Sequence, residues 1–154
     1  MKSIIALLSF ISIFSSCTLL YNPKTKGPPL PPNRVYTNIT FDTMFNICET
    51  IFRNNEFKIS DFNKSRGYFG TNWMESDYQN GLYLWKKRRR YHVKIEPDSA
   101  IKNRYYLIIE VEVQVKSPVG KWKMKKIDCK SDHFFQNILN SIDISVKKNN
   151  GAIA

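Results

Sequence analysis

Residues 105–116, YYLIIEVEVQVK, are the stretch that decides the fold. Every odd position, from Tyr105 to Val115, is apolar, and the even positions turn polar from Glu110 onward. A period of two kept over this length is typical of a β-strand with one face buried and the other in water. Pro118 and Gly120 follow and end the strand. The sequence therefore predicts a half-buried strand at the centre of the domain.

Further strands are predicted on the N-terminal side of this one. Residues 82–96 are strand-like, and residues 57–62 and 68–76 are predicted to be two strands joined by a polar turn that ends in Gly67. Residues 34–38 add a short β-prone stretch. Neighbouring strands joined by turns of this length are predicted to pair in an antiparallel sheet.

Two amphipathic helices complete the pattern. The first follows Thr40, a capping residue, and carries apolar residues at helical spacing from Phe41 to Phe52. The second follows Ser131, which is predicted to cap it, and places the apolar residues of 134–146 on one side. Helix, strands and helix in this order predict an α+β fold, with an antiparallel sheet of four to five strands and two helices packed on one face.

The N-terminal residues predict export. Residues 1–16 contain one lysine and then the apolar run IIALLSFISIF at positions 4–14, which is the organisation of a signal peptide. That run is too short to span a bilayer, which takes about 20 apolar residues. Residues 17–34 are rich in proline and are predicted to be an extended linker with a reach of roughly 50 Å. Residues 35–150 are then predicted to form a single domain.

The stretch Phe14-Ser15-Ser16-Cys17 resembles the lipobox of bacterial lipoproteins. The resemblance implies that the Cys17 thiol is diacylated and that the chain is cut just before it. A typical lipobox has leucine at the position of Phe14. The two residues after Cys17 are not the aspartate that retains such proteins at the inner membrane of enteric bacteria, so the resemblance implies the outer membrane, on its periplasmic side. The alternative is an ordinary secretory signal, with Cys17 free or disulfide-bonded.

A second resemblance lies in the domain. Its motifs are, in chain order, Val35-Tyr36, a helix, Phe57-x-Ile59, Gly67-x-Phe69-x-Thr71-x-Trp73, Arg89-Arg90-Tyr91-His92-Val93-x-Ile95 and the alternating valine strand. Together they resemble the helix-grip domain of BamC-type outer-membrane lipoproteins, over most of residues 35–116. The resemblance implies a helix-grip-like fold, no catalysis, and a role beside β-barrel assembly.

Positive charge is concentrated in Lys86-Lys87-Arg88-Arg89-Arg90, in a chain of net charge +11. Removal of the leader takes away one lysine and leaves +10. Such an excess attracts polyanions, so the run is predicted to be a basic interaction patch. Export argues against nucleic acid and favours anionic lipid headgroups or an envelope protein as the partner. The alternative is that these are solvated side chains on the open sheet face, paired across strands with Glu110 and Glu112.

Residues with catalytic or metal-binding chemistry are sparse. His92 and His133 lie in no catalytic motif, and the sequence predicts no catalytic residue, no metal, no cofactor and no enzyme. Cys129 and His133 have the spacing of a metal pair on a helix, but no further ligand lies near them in sequence. Cys48 and Cys129 are either disulfide-bonded in an oxidising periplasm or plain thiols, with Cys48 on an apolar helix face.

Two functions of different class follow from these features. The first is a non-enzymatic lipoprotein that is anchored in the outer membrane through Cys17 and acts as an interaction or assembly module. The second is a carrier of lipid or another small hydrophobic ligand in a helix-grip cavity. A cavity of roughly 300 Å³ or more favours the carrier. A filled core with exposed aromatic side chains on the open face favours docking.

Overall fold

A computed structural model of the protein describes residues 33–154. The predicted signal peptide, Cys17 and the linker up to residue 32 lie outside the described residues. The first strand, Asn33–Thr37, confirms the β-prone stretch predicted at residues 34–38 and includes the last two residues predicted for the linker. Within residues 33–154, no helix has the length and apolar character needed to cross a bilayer.

The described chain is an α+β domain, as predicted. Its elements are β1 (Asn33–Thr37), α1 (Phe41–Asn54), β2 (Ile59–Asn63), a short 3-10 helix (Lys64–Arg66), β3 (Tyr68–Thr71), β4 (Met74–Asn80), β5 (Tyr83–Pro97), β6 (Arg104–Lys116), β7 (Lys123–Met124), α2 (His133–Lys148) and β8 (Ala152–Ile153). The strands lie in the order β2-β3-β5-β6-β1-β8, with β4 beside β5 and β7 beside β6. Each pair is antiparallel.

The prediction of four to five strands is wrong, because the sheet of the described residues has eight. Two of the additional strands, β7 and β8, are only two residues long. A strand of that length has no visible alternation of apolar and polar residues. The third additional strand arises because residues 68–76, which were predicted to form one strand, form two strands, β3 and β4.

The break between β3 and β4 has a structural cause. Both strands pair with the same edge of β5, but an unbroken strand would place Met74 opposite Arg88, and Met74 lies opposite Arg89 instead. One extra residue of this kind is a β-bulge, which bends a strand and changes where its side chains point. Trp73 lies at this break, so the bulge sets its position.

The helices start close to the predicted positions. Thr40 caps α1 as predicted, and its hydroxyl accepts a hydrogen bond from the Thr43 amide at 3.2 Å. Asp132, and not the predicted Ser131, caps α2, where its carboxylate accepts from the Phe135 amide at 3.1 Å. A carboxylate suits this position because its charge also interacts favourably with the positive end of the helix.

Both helices pack on the same face of the sheet and share one core with it. The ring of Phe52 on α1 lies 5.5 Å from that of Phe69 and 5.2 Å from that of Tyr91, in edge-to-face arrangements that aromatic rings favour. From α2 the buried apolar residues are Phe135, Ile138, Leu139, Ile142 and Val146. The core therefore occupies one side of the sheet, and the opposite face of β5 and β6 carries the polar residues.

Candidate functional site

The predicted basic patch, residues 86–90, lies in β5 and does not form one surface. Successive side chains of a strand point to opposite faces of the sheet. On the open face lie Lys86, Arg88 and Arg90, and on the helix face lie Lys87 and Arg89. The two groups have different neighbours and therefore different roles.

On the open face, Arg88 lies between two indole rings. Its guanidinium carbon is 4.6 Å from the ring centroid of Trp73 and 4.3 Å from that of Trp122. Two of its nitrogens donate to Oε1 of Gln114 at 2.9 and 2.7 Å. Each cation–π contact contributes from about 0.5 to 2 kcal/mol, increasing with desolvation. We call Trp73, Arg88 and Trp122 the tryptophan–arginine stack.

The tryptophans of this stack were not predicted as site residues. Both are half-buried, and each lies in a break between strands, where no periodicity marks it. The signal that was present is their scarcity, since the chain has only three tryptophans. Their meeting with Arg88 depends on strand pairing, which brings three separate segments to one place on the open face.

The predicted pairing of charges across the open face is present at Glu112. Its carboxylate lies 2.9 Å from Arg90 and 3.0 Å from Nε2 of His92, whose Nδ1 is 2.9 Å from the hydroxyl of Tyr68. Burial raises the pKa of Glu112, but the hydrogen bonds from Arg90 and His92 outweigh it and hold the pKa below its ordinary value. Part of the positive charge of β5 is thus neutralised within the sheet.

On the helix face, Arg89 joins the sheet to α2. Its guanidinium lies 3.4 Å from the Asp132 carboxylate and 4.6 Å from the ring centroid of Phe134. Burial raises the pKa of Asp132, but the charge of Arg89 and the amide of Phe135 outweigh it and lower the pKa. Burial and repulsion from Arg89 lower the pKa of Lys87. These two basic side chains therefore belong to the junction between strand and helix.

Cys48 and Cys129 are free thiols, so the structure does not contain the disulfide that the sequence left open. Cys48 is buried on α1, and burial raises the pKa of its thiol. Cys129 is partly buried ahead of α2, and burial raises its pKa as well. Among residues 33–154, no three His, Cys, Asp or Glu side chains lie close enough together to hold a metal ion.

A groove of about 800 Å³ lies along β6, between β1 and β7. β1 pairs with β6 as far as Ile108, and β7 pairs with it at Gln114 and Val115, so the groove occupies the gap between them. Its walls are mainly apolar, with Lys125 and Lys126 among the lining residues. Ile109, Val111 and Val113 line it from the helix face of β6, and Ile127 and Cys129 line it from the segment ahead of α2. The groove therefore lies on the side of the sheet where a helix-grip carrier is expected to have its cavity.

No protein-family model and no curated protein matches the sequence. Among solved structures, the chain is similar to a DUF4468 family protein from Bacteroides ovatus, with 9% sequence identity and a TM-score of 0.36, over 71% of this chain and 74% of that one. The resemblance to BamC-type lipoproteins stays a prediction.

Proposed function

We propose that the protein is a non-enzymatic lipoprotein of the outer membrane, held on the periplasmic side by acyl chains on Cys17. In this proposal the proline-rich linker carries a single BamC-like domain, which acts as an interaction module in outer-membrane protein assembly. The signal-peptide pattern and the lipobox-like Phe14-Ser15-Ser16-Cys17 support the anchor. Several acyl chains would hold the protein on a membrane almost permanently.

The observation that carries the docking role is the tryptophan–arginine stack. Arginine and tryptophan are the residue types that dominate binding energy at protein interfaces. Here the Arg88 side chain is already held by two rings and by Gln114, so docking would cost little side-chain entropy. Between the sheet and the two helices the buried residues form a continuous hydrophobic core, and the groove on that side of the sheet lies along β6, between β1 and β7. The stack therefore supports a docking module, whereas the groove along β6 is the feature that supports a carrier.

The anchor is tested by intact-mass measurement of the protein extracted from cell envelopes. We expect a chain that begins at an acylated Cys17, and we expect Cys17→Ala to accumulate as the uncut or soluble form. An unmodified chain that still begins with Met1 would contradict the anchor.

A second candidate is a carrier function, which the groove along β6 favours. Mass measurement under native conditions tests it, because a noncovalently bound lipid that is lost on denaturation would identify a carrier.

Docking is tested by recovery of partners from solubilised envelopes. Arg88→Glu is expected to reduce recovery by about tenfold or more, since loss of an interface hot spot costs about 2 kcal/mol or more. Trp122→Ala should act in the same direction, because it removes one ring while Gln114 still holds Arg88. The matched control is Arg53→Glu, which makes the same change of charge at an exposed side chain of α1, away from the stack. Equal recovery with all variants would contradict docking through the stack.

A further inference from the structure

Two loops meet at one end of the sheet. β5 begins at Tyr83 and β6 ends at Lys116, and Lys86 lies opposite Lys116 in the antiparallel pair. The turn between β4 and β5 and the loop between β6 and β7 therefore lie side by side. Asn80 pairs with Tyr83, so the first loop is a tight two-residue turn, and Gly81 has the positive φ that such a turn requires.

These loops expose large apolar side chains that nothing in residues 33–154 covers. Leu82 is 96% exposed and Val119 is 99% exposed, one at each loop. Tyr83 and Leu84 follow Leu82 and are 66% and 61% exposed. Single exposed apolar residues are common on proteins, but a cluster at one end of a sheet marks a site of interaction. We call Leu82, Tyr83, Leu84 and Val119 the apolar tips.

Lysines surround the apolar tips on both faces of the sheet. They are Lys86, Lys116, Lys121 and Lys123, which we call the basic collar. Lys86 and Lys116 lie directly opposite each other, an arrangement of like charges that is unfavourable unless an anion lies nearby. The carboxylate of Asp77, opposite Lys86 on its other side, supplies one negative charge. The collar keeps a large positive excess just behind the tips.

The first strand, β1, runs along the Arg104 end of β6, and its first residue is the one that lies nearest to the apolar tips. β1 is antiparallel to β6, with Asn33 opposite Ile108 and Thr37 opposite Arg104. The start of β1 is thus nearer than its end to the Lys116 end of β6, where the tips lie.

We propose that this end of the sheet inserts shallowly into an anionic phospholipid bilayer. The apolar tips enter the boundary between headgroups and acyl chains, and the basic collar binds the lipid phosphates. Tyr83 and the adjacent Trp85 are the residue types that favour this boundary. Exposed apolar side chains on two separate loops suit a fluid lipid surface, which closes around each side chain. A protein partner would need a matching groove. The inference rests on the proposed function only in that the anchor brings the domain to a membrane.

The test uses the native protein reconstituted into vesicles of phosphatidylglycerol whose acyl chains carry bromine, which quenches tryptophan emission on contact. We expect quenching and a blue shift, and we expect Trp85→Phe to remove most of both. Leu82→Ser combined with Leu84→Ser should abolish them. Ile101→Ser and Ile144→Ser replace side chains that are 46% exposed and lie away from the tips, so these controls should leave the quenching unchanged.

Three results would overturn the inference. They are an unquenched Trp85 in vesicle-bound protein, equal quenching in phosphatidylcholine and phosphatidylglycerol, and quenching that survives loss of both leucines. The first of these is the result expected if the tips bind a protein instead. Flotation of the vesicles and the mass of the chain report the anchor separately, so failure of the tips to insert is distinguishable from failure of the proposed lipoprotein anchor.

Discussion

Gly67→Ala is expected to destabilise the domain by more than about 3 kcal/mol, a large part of the 5–15 kcal/mol by which domains are usually stable. Gly67 has a φ of +65°, where a residue with a Cβ atom pays about 1–2 kcal/mol. An alanine Cβ there would also lie 2.2 Å from the carbonyl oxygen of Ile95. That oxygen belongs to the backbone of β5, and the Ile95 amide donates a hydrogen bond to the carbonyl oxygen of Gly67 at 2.7 Å. Relief of the overlap would therefore have to displace β5 from the turn.

The chain provides a matched control for this prediction at Gly81. Its φ is +64°, almost the same as that of Gly67, but a Cβ there would meet nothing within 4 Å. Gly81→Ala should therefore show the backbone cost alone, about 1–2 kcal/mol. Urea unfolding followed by circular dichroism measures both variants. Equal losses of stability would show that the contact with Ile95 does not matter.

Asp143→Leu is expected to cost about 3–5 kcal/mol, because it removes one partner of a buried ion pair. Asp143 lies on the inner face of α2 and is almost completely buried. Its carboxylate accepts from the guanidinium of Arg34 and, at 2.7 Å, from the hydroxyl of Tyr36, both on β1. Burial and the bond to Asp143 raise the pKa of Tyr36 well above its ordinary value. Loss of the carboxylate would leave the partly buried guanidinium of Arg34 without its counter-ion and the buried hydroxyl of Tyr36 without its acceptor.

Replacement of all three residues of this polar cluster, Arg34, Tyr36 and Asp143, is expected to lower the free energy of unfolding far less. The triple variant Arg34→Met, Tyr36→Phe and Asp143→Leu removes donors and acceptor together, and such replacements are often neutral or stabilising. We expect it to lie within about 1 kcal/mol of the unchanged protein in urea unfolding, since no buried polar atom of the group then lacks a partner. A triple variant as unstable as Asp143→Leu would mean that packing, and not the unpaired cation, causes the loss.

Much of the fold was predictable because it rests on local patterns. The alternation in residues 105–116 places Tyr105, Leu107, Ile109 and Val113 in the core, as β6 does in the structure. The spacing of apolar residues and the cap at Thr40 predicted α1, which is also present. In both cases the period of the backbone decides which side chains share a face, and that period is readable from a few neighbouring residues.

The wrong predictions have physical reasons of their own. The number of strands was too low because β7 and β8 are held by pairing with β6 and β1, and their own residues carry no periodicity. The division at Trp73 depends on a shift in pairing with β5. Ser131 and Asp132 are both good caps by type, and Asp132, which caps α2, also meets Arg89 from the sheet, a contact that the local sequence does not reveal.

The candidate site was predictable only as a concentration of charge. Successive side chains of a strand point to opposite faces of a sheet, so the five basic residues of the run lie on two faces once β5 is part of the sheet. Which arginine meets aromatic rings and which meets a carboxylate was not readable from the run. Arg88 is held by Trp73 and Trp122, and Arg89 by Asp132, through neighbours that the run itself does not contain.

The sequence by itself determined the α+β class, the two helices, the buried face of β6 and the position of the basic run, because each depends on the spacing of near neighbours. Only the tertiary structure decided the eight-stranded order, the tryptophan–arginine stack, the Arg34–Asp143 pair and the meeting of the apolar tips. Each of these joins segments far apart in the chain. Their meeting depends on strand order and register, and a shift of one residue in register would send every side chain of a strand to the other face.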